Sequence, residues 1–237
     1  MSGHSKWATI KRKKEVTDSK RGAVFTKLGN IISIAAREKG GDIETNFSLR
    51  MAVEKAKAAN MPKENIERAI KRGTGEGGGE QIVELIYEGI GPANSQFIVK
   101  VLTDNKNRSA ASVRHAFTKY GGSLGTVMWN FEQKGVIRVS SVEFRISNDE
   151  DELELIEAGA DDILKEEEGV TIYTKPENLQ KVKKFLDEKK INTESAEIEY
   201  IAKDEVEISG EDKEKIEKFI DELDGIEDVS DYYNNVL

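Results

Sequence analysis

The first 21 residues combine basic, aromatic and imidazole side chains in a pattern that suits contact with a nucleic acid. Ammonium and guanidinium groups neutralise phosphates, an indole ring stacks on a base, and an imidazole hydrogen-bonds one. The candidate nucleic-acid contacts in this segment are His4, Lys6, Trp7, Lys11, Arg12, Lys13, Lys14, Lys20 and Arg21. The alternative is that Trp7 packs on a helical core and the basic side chains are only solvated.

A second candidate site is the run TDNKNR at 103–108, which is predicted to lie between the end of a strand and the start of a helix. Backbone N–H groups and the helix dipole favour anions at such a position. Lys106 and Arg108 could add to binding there. Asp and Asn are also ordinary turn and cap residues, so a capped turn without a binding role is the alternative interpretation.

The residue types of common enzyme sites are scarce. The chain has no Cys and only two His, and neither His4 nor His115 has a partner at metal-ligand spacing. The run GTGEGGG at 73–79 contains a literal G-x-G-x-x-G, but a dinucleotide site needs a strand before it and a helix after it. Here the predicted order is reversed, which favours a helix end and a linker. We expect no catalytic residue, no metal, no cofactor and no small-molecule substrate.

An acidic stretch at 143–168 holds 12 acidic residues against 2 basic ones. It lacks the spacing of a calcium-binding loop. Leu153, Ile156, Ala160 and Ile163 instead predict one apolar face of a helix, with the carboxylates solvated on the outside.

Composition indicates a highly charged globular protein of two or three domains. The chain has 237 residues, of which 37% are hydrophobic and 34% charged, and no apolar run approaches a membrane span. The absence of Cys suits a reducing compartment, so we expect a cytoplasmic protein without a membrane partner. The basic start lacks the apolar run of a secretory signal, and we interpret it as part of the mature protein.

The net charge of −9 conceals an asymmetry along the chain. Residues 1–72 hold 17 Lys and Arg against 8 Asp and Glu, whereas residues 73–237 hold 19 against 37. Such asymmetry favours nucleic-acid binding by the basic part.

Apolar periodicity predicts an α+β multidomain fold. Three amphipathic helices, the second capped by Thr45 or Asn46, are followed by strands and helices typical of two small α/β (ferredoxin-like) domains. The expected domains are a basic helical domain at 1–78, a discontinuous α/β domain at 79–130 plus 204–237, and an acidic α/β domain at 131–203 inserted in the second.

Several long motifs resemble those of the YebC family. They are GHSKWATIKRKK at 3–14, FTKLGNIISIAAREKGGD at 25–42, ANMPKENIERAIKRGTG at 59–75, YEGIGP at 87–92, TDNKNRSAASVRHAF at 103–117, GGSLG at 121–125 and WNFEQKG at 129–135. The resemblance spans nearly the whole chain, and the acidic third domain follows the family pattern most loosely.

The resemblance implies a helical first domain followed by two α/β domains with a cleft between them. It implies no enzyme activity. Members are commonly designated probable transcriptional regulators that bind DNA, and others are described as translational activators of ribosomes slowed at proline runs. The family's GHSKW start falls on 3–7, and its TDN-x-NR loop on Thr103, Asp104, Asn105, Asn107 and Arg108.

These observations favour a non-enzymatic nucleic-acid-binding regulator of gene expression. Its target is either DNA or ribosomal RNA, with the ribosome as a partner in the second case. The alternative from another class is an acidic adaptor that binds a basic protein and is anchored by the helical domain.

Overall fold

The computed structural model describes residues 21–76, 81–140, 149–166, 169–208 and 210–237. Its helices and strands follow in chain order: α1 (Arg21–Lys39), α2 (Phe47–Ala58), α3 (Lys63–Thr74), β1 (Val83–Ile90), β2 (Gln96–Thr103), α4 (Lys106–Lys119), β3 (Ser123–Leu124), β4 (Phe131–Ser140), α5 (Asp149–Ala158), β5 (Ala160–Lys165), β6 (Gly169–Thr174), α6 (Leu179–Glu188), β7 (Ser195–Ala202), α7 (Glu211–Gly225) and β8 (Val229–Asn234). None of the described helices has the length and apolar character that crossing a membrane requires.

These elements form two compact units. The first unit contains the described residues up to Phe131 together with Ala202–Leu237. The second unit, Glu132–Ile201, is inserted in the first. The predicted fold class is confirmed: helices come first, and two four-stranded antiparallel sheets follow. The exact boundaries of the three expected domains stay predictions.

The three N-terminal helices form because apolar side chains recur every three or four residues along each of them. Leu28 and Ile32 of α1 share one core with Leu49 and Val53 of α2 and with Ile66 of α3. The predicted apolar stripes are therefore those that pack.

Asn46 determines where α2 begins. Its Oδ1 accepts a hydrogen bond from the Leu49 N–H at 3.1 Å, and its Nδ2 donates to the carbonyl oxygens of Ala35 and Gly40, each at 2.8 Å. Of the two predicted caps the structure selects Asn46, because an amide supplies both the acceptor for α2 and the donors for the end of α1.

The run 73–79 contains the predicted helix end, but Gly73 itself is a contact between helices. It lies inside α3, and a Cβ built there would come within 2.3 Å of the Ser33 carbonyl oxygen and 2.8 Å of the Ala36 Cβ. The backbones of α1 and α3 approach closely only because this side chain is missing. The helix ends two residues later at Gly75, whose φ of 87° is the left-handed conformation of a C-cap.

The sheet of the first unit has the strand order β3-β1-β2-β8. On one face it packs against α4 and α7, and three phenyl rings meet there in tilted, edge-on arrangements. The ring centroid of Phe219 on α7 lies 4.9 Å from those of Phe97 on β2 and Phe117 on α4. Because α7 and β8 follow the inserted unit, this core is complete only when the chain returns.

Helix α1 packs against the same sheet. Ile34 of α1 forms a buried cluster with Ile82 and with Leu102 of β2. Lys27 Nζ donates to the carbonyl oxygen of Asp224 at 3.0 Å, and an Arg37 guanidinium N–H donates to that of Ile82 at 2.5 Å. The helical segment and the first sheet therefore form one unit, with contacts that cross the glycine-rich run.

The second unit follows a β-α-β-β-α-β order, and its sheet has the strand order β5-β6-β4-β7 of ferredoxin-like folds. The helix expected to continue through 163 ends at Ala158. Gly159 adopts a φ of 114°, and the next six residues form the edge strand β5, in which Ile163 pairs with Ile172.

The predicted apolar face of α5 is also wrong. Leu153 and Ile156 are 58% and 54% exposed, whereas Leu155 and Ala158 are buried. In a helix of only ten residues two faces carry apolar side chains, and the sequence does not show which one meets the sheet.

A buried ion pair joins two neighbouring strands of this sheet. Arg138 on β4 and Glu199 on β7 are 1% and 3% exposed, and the guanidinium donates to both carboxylate oxygens. Burial alone would lower the pKa of the Arg138 guanidinium, but the charge and hydrogen bonds of Glu199 raise it. The pairing offsets the free-energy cost of desolvation that either charge would have if it were buried alone.

Replacing Gly73 by Ala tests the close approach of α1 and α3. The added methyl group collides with backbone, so we expect a loss of about 1–3 kcal/mol in the free energy of unfolding. Denaturant-induced unfolding followed by circular dichroism measures it.

Gly22→Ala is the matched control, because among the described residues no atom outside its own stretch of helix lies within 4 Å of a Cβ built there. There the substitution should be neutral or stabilise by up to about 1 kcal/mol. Equal stability of the two variants would contradict a role for Gly73 in helix packing.

Candidate nucleic-acid interface

Most of the side chains predicted to bind nucleic acid lie outside the described residues. These are His4, Lys6, Trp7, Lys11, Arg12, Lys13, Lys14 and Lys20. Arg21 is the first residue of α1, and Lys106 and Arg108 lie in the first turn of α4. The segment 1–20 therefore leads directly into α1, and its binding role stays a prediction.

The helical segment adds exposed cations that the sequence analysis did not single out. Lys39, Lys57, Arg68 and Lys71 are exposed, and none of them forms an ion pair with another residue that the structure describes. Lys63 is exposed as well, at 3.6 Å from the carboxylate of Glu67. The excess of basic residues in 1–72 was the sequence signal that pointed to this segment. Hydrophobic periodicity does not distinguish solvated cations from cations that stabilise the fold.

Arg72 is one of the cations that stabilise the fold. Its Nε donates to Ser33 Oγ at 3.0 Å, and a terminal N–H donates to Asn30 Oδ1 at 2.8 Å. Burial lowers the pKa of the Arg72 guanidinium, and the negative charge of Asp104 opposes that shift. The end of α3 therefore lies near the loop that precedes α4.

Helix α4 begins at a capped turn, which was the alternative interpretation of this loop, and a binding role for its cations stays a prediction. Asn105 Oδ1 accepts the Arg108 N–H at 3.0 Å, and Thr103 Oγ1 accepts the Asn105 N–H at 2.9 Å. Lys106 is exposed and has no ion-pair partner among the described residues. Of the two cations predicted in this loop, Lys106 is the one whose charge no described carboxylate offsets.

Arg108 binds carboxylates of its own chain. Its guanidinium donates to the two carboxylate oxygens of Asp228 at 2.8 and 3.1 Å and to Asp104 Oδ1 at 2.9 Å. These hydrogen bonds raise the pKa of the Arg108 guanidinium. Its predicted contact with nucleic acid stays a prediction, but most of its charge is already offset within the fold.

Asp228 lies at the centre of this cluster. Its Oδ2 also accepts the Ser109 hydroxyl at 2.7 Å, and its carbonyl oxygen accepts the Leu102 N–H at 2.9 Å. Burial alone would raise the pKa of the carboxyl, but the hydrogen bonds from Arg108 and Ser109 outweigh it and hold the pKa below its ordinary value. The residues that we call the Asp228 cluster are Leu102, Thr103, Asp104, Arg108, Ser109 and Asp228.

The described residues offer little to a metal ion. Within them no group of three or more His, Cys, Asp or Glu side chains is arranged to hold one. What the site can do is attract anions at the exposed cations of the helical segment and at Lys106.

Asp228→Asn tests the charge in the Asp228 cluster. We expect a loss of about 1–3 kcal/mol in the free energy of unfolding near neutral pH, because the buried Ser109 hydroxyl and the Arg108 guanidinium lose an ionised acceptor. The folded pKa is depressed, so this stabilisation is present above the unfolded pKa of about 3.9 and is lost as the pH falls towards the folded pKa. The difference between wild type and variant should therefore shrink in acid, which urea unfolding over a pH series measures.

Asp104→Asn is the matched control, since the Asp104 carboxylate binds the same guanidinium from a more exposed position. It should cost no more than about 1 kcal/mol. A difference between wild type and Asp228→Asn that stays constant down to strongly acidic pH would contradict an ionised Asp228.

Two family models together match almost the whole chain. The TACO1/YebC protein N-terminal domain matches residues 5–76, and the TACO1/YebC second and third domain matches residues 82–236. The first match covers the helical segment, and the second covers both sheets.

Similar proteins include probable transcriptional regulatory proteins of two organisms. The one from Thermoanaerobacter pseudethanolicus is 51% identical over 241 residues, covering 100% of this chain and 97% of that protein. The one from Thermotoga maritima is 50% identical over 240 residues, covering 99% of this chain and 93% of that protein.

A solved structure has the same fold. The crystal structure of a conserved hypothetical protein from Aquifex aeolicus matches with a TM-score of 0.83 at 43% sequence identity, and the match covers 93% of this chain and 91% of that chain. With both family models matched along its length, the chain belongs to the TACO1/YebC family.

Proposed function

We propose that this protein is a non-enzymatic, cytoplasmic regulator of gene expression that acts by binding nucleic acid. The observation that carries the proposal is the separation of charge, with 17 basic against 8 acidic residues in 1–72 and 19 against 37 in the rest. A basic segment on an acidic protein concentrates phosphate attraction at one place. The regulatory name of its relatives supports the same function.

Ribosomal RNA is the target that the geometry supports best. Readers of duplex sequence usually present one recognition helix with polar side chains for the major groove. The exposed cations here are instead spread over three helices and the start of α4. Such scattered charge, with Trp7 and His4 in the basic start, suits irregular RNA with unstacked bases and dense phosphate. As the family resemblance implies, the regulator would assist ribosomes slowed at proline runs.

DNA is the second candidate target, because the relatives carry the name of transcriptional regulators. The same cations would give measurable DNA binding of low specificity in either case. A preference for one promoter is the feature that separates the two targets.

An acidic adaptor is the candidate from another class. The second unit, 132–201, holds 19 acidic against 10 basic residues, which suits a basic protein partner. In that case nucleic acid would not co-purify with the protein at low salt, whereas the regulator carries nucleic acid that high salt removes.

Replacing Lys11, Arg12, Lys13 and Lys14 by Gln tests the basic start. Each lost phosphate contact should flatten the slope of log affinity against log salt by about 0.7–0.9, or about 3 for all four. Titration of labelled RNA at several salt concentrations measures the slope.

The matched control replaces four exposed lysines outside the helical segment by Gln: Lys181, Lys184, Lys213 and Lys218. It changes the net charge equally and should leave the slope within error of wild type. An unchanged slope in the first variant would place the phosphate contacts elsewhere.

Ribosome association separates the two targets. We expect the protein to co-sediment with ribosomes at moderate salt, less so after Trp7→Ala or Lys6→Ala, and we expect slower translation of proline-rich messages in its absence. A protein that stays off ribosomes and footprints one promoter strongly over random DNA would be a transcriptional regulator instead.

A further inference from the structure

Trp129 is an aromatic side chain in an unusual place. It lies in the single helical turn Met128–Asn130 between β3 and β4, and its side chain is 61% exposed. Tryptophan is normally among the more deeply buried residues, so an exposed indole calls for a reason outside the core. It belongs to the run WNFEQKG, and the sequence alone did not identify it as a binding residue.

A carboxylate holds the turn from one side. Glu88 Oε2 accepts the backbone N–H groups of Val127 at 2.8 Å and Met128 at 2.7 Å. Val127 itself is buried. The two residues before the indole are therefore fixed to the sheet through β1.

Asn130 holds the turn from the other side. It is 1% exposed, and its Nδ2 donates to Gln96 Oε1 at 2.7 Å and to the Asp204 carbonyl oxygen at 2.9 Å. Its Oδ1 accepts the Asp204 N–H at 2.8 Å, and its carbonyl oxygen accepts the Lys203 N–H at 2.7 Å. The backbone that carries Trp129 is thus ordered before any partner arrives, which lowers the entropic cost of binding.

The surroundings of the indole are polar and include a cation. Lys203 Nζ donates to the Trp129 carbonyl oxygen at 3.0 Å, and the neighbouring Gly125, Thr126 and Asp204 are exposed. Among the described residues of the first unit, Ile90 is the only other exposed large apolar side chain. Docking of a folded protein normally uses a contiguous apolar patch of several hundred Å². A single ring with a cation beside it fits a base and its phosphate instead.

We propose that Trp129 stacks on an unpaired base of single-stranded RNA and that Lys203 meets the adjacent phosphate. The choice of RNA as the ligand rests on the proposed function. The choice of Trp129 as the contact rests on the exposure of its ring and on the hydrogen bonds that hold its turn. The first unit then contacts RNA at a second point, separate in sequence from the basic start, and stacking on the ring requires a strand with a splayed base.

The test uses the full chain with Trp7→Phe, which leaves Trp129 as the only tryptophan. Titration with a short single-stranded oligoribonucleotide of mixed sequence should quench its fluorescence, because a stacked base contacts the ring. Trp129→Ala should weaken binding by about 5- to 150-fold, the range for one lost stacking contact, and Trp129→Phe should weaken it less. Thr126→Ala, an exposed neighbour without a ring, is the matched control and should bind as the parent does.

The possible failures are distinguishable. One outcome is that the oligoribonucleotide binds in a salt-dependent manner without changing the fluorescence of Trp7→Phe, and that Trp129→Ala binds it as tightly as that parent. In that case the stacking role is wrong and the proposed function stands. If RNA binds neither the wild type nor Trp7→Phe, both are wrong. If Trp129→Ala reduces co-sedimentation with ribosomes but not binding to naked RNA, the ring contacts a protein and the stacking role is again wrong.

Discussion

The carboxylate of Asp228 lies between α7 and β8, in the segment that completes the first unit after the inserted one. It accepts hydrogen bonds from Arg108 and Ser109 of α4, and its backbone carbonyl oxygen binds the end of β2. A strand, a helix and the returning segment are thereby joined by one residue. Because the core of this unit needs α7 and β8, a fixed return is a condition for the sheet and for everything that packs on it.

The same constraint sorts the basic residues into two kinds. Lys27, Arg37, Arg72 and Arg108 donate to acceptors of the protein itself. A cation that satisfies a buried carbonyl or carboxylate has little attraction left for an external phosphate. The exposed lysines of the helical segment, the basic start and Lys106 carry the remaining positive potential, which is why the proposed interface lies on them.

Rigidity and function are connected at Trp129. Glu88 accepts the backbone N–H groups of Val127 and Met128, and the side chain of Asn130 is hydrogen-bonded to Gln96 and Asp204. The turn is therefore held in place while the ring itself is exposed. In the proposed interface of the first unit, the exposed cations would supply attraction that depends on salt, and the ring would supply a stacking contact that depends on salt much less. A regulator that acts on structured RNA needs both, since charge alone does not distinguish splayed bases from duplex.

The sequence by itself determined the three amphipathic helices, the capped start of α4, the α+β class and the separation of charge, because each depends on residues within a few positions of one another. Tertiary structure decided the rest. Gly73 is a contact with Ser33 of another helix, α5 ends early because Gly159 turns the chain into an edge strand, and Arg108 meets a carboxylate 120 residues away. Burial and long-range pairing depend on which surfaces of the folded chain pack together, and local hydrophobic periodicity does not predict those tertiary contacts.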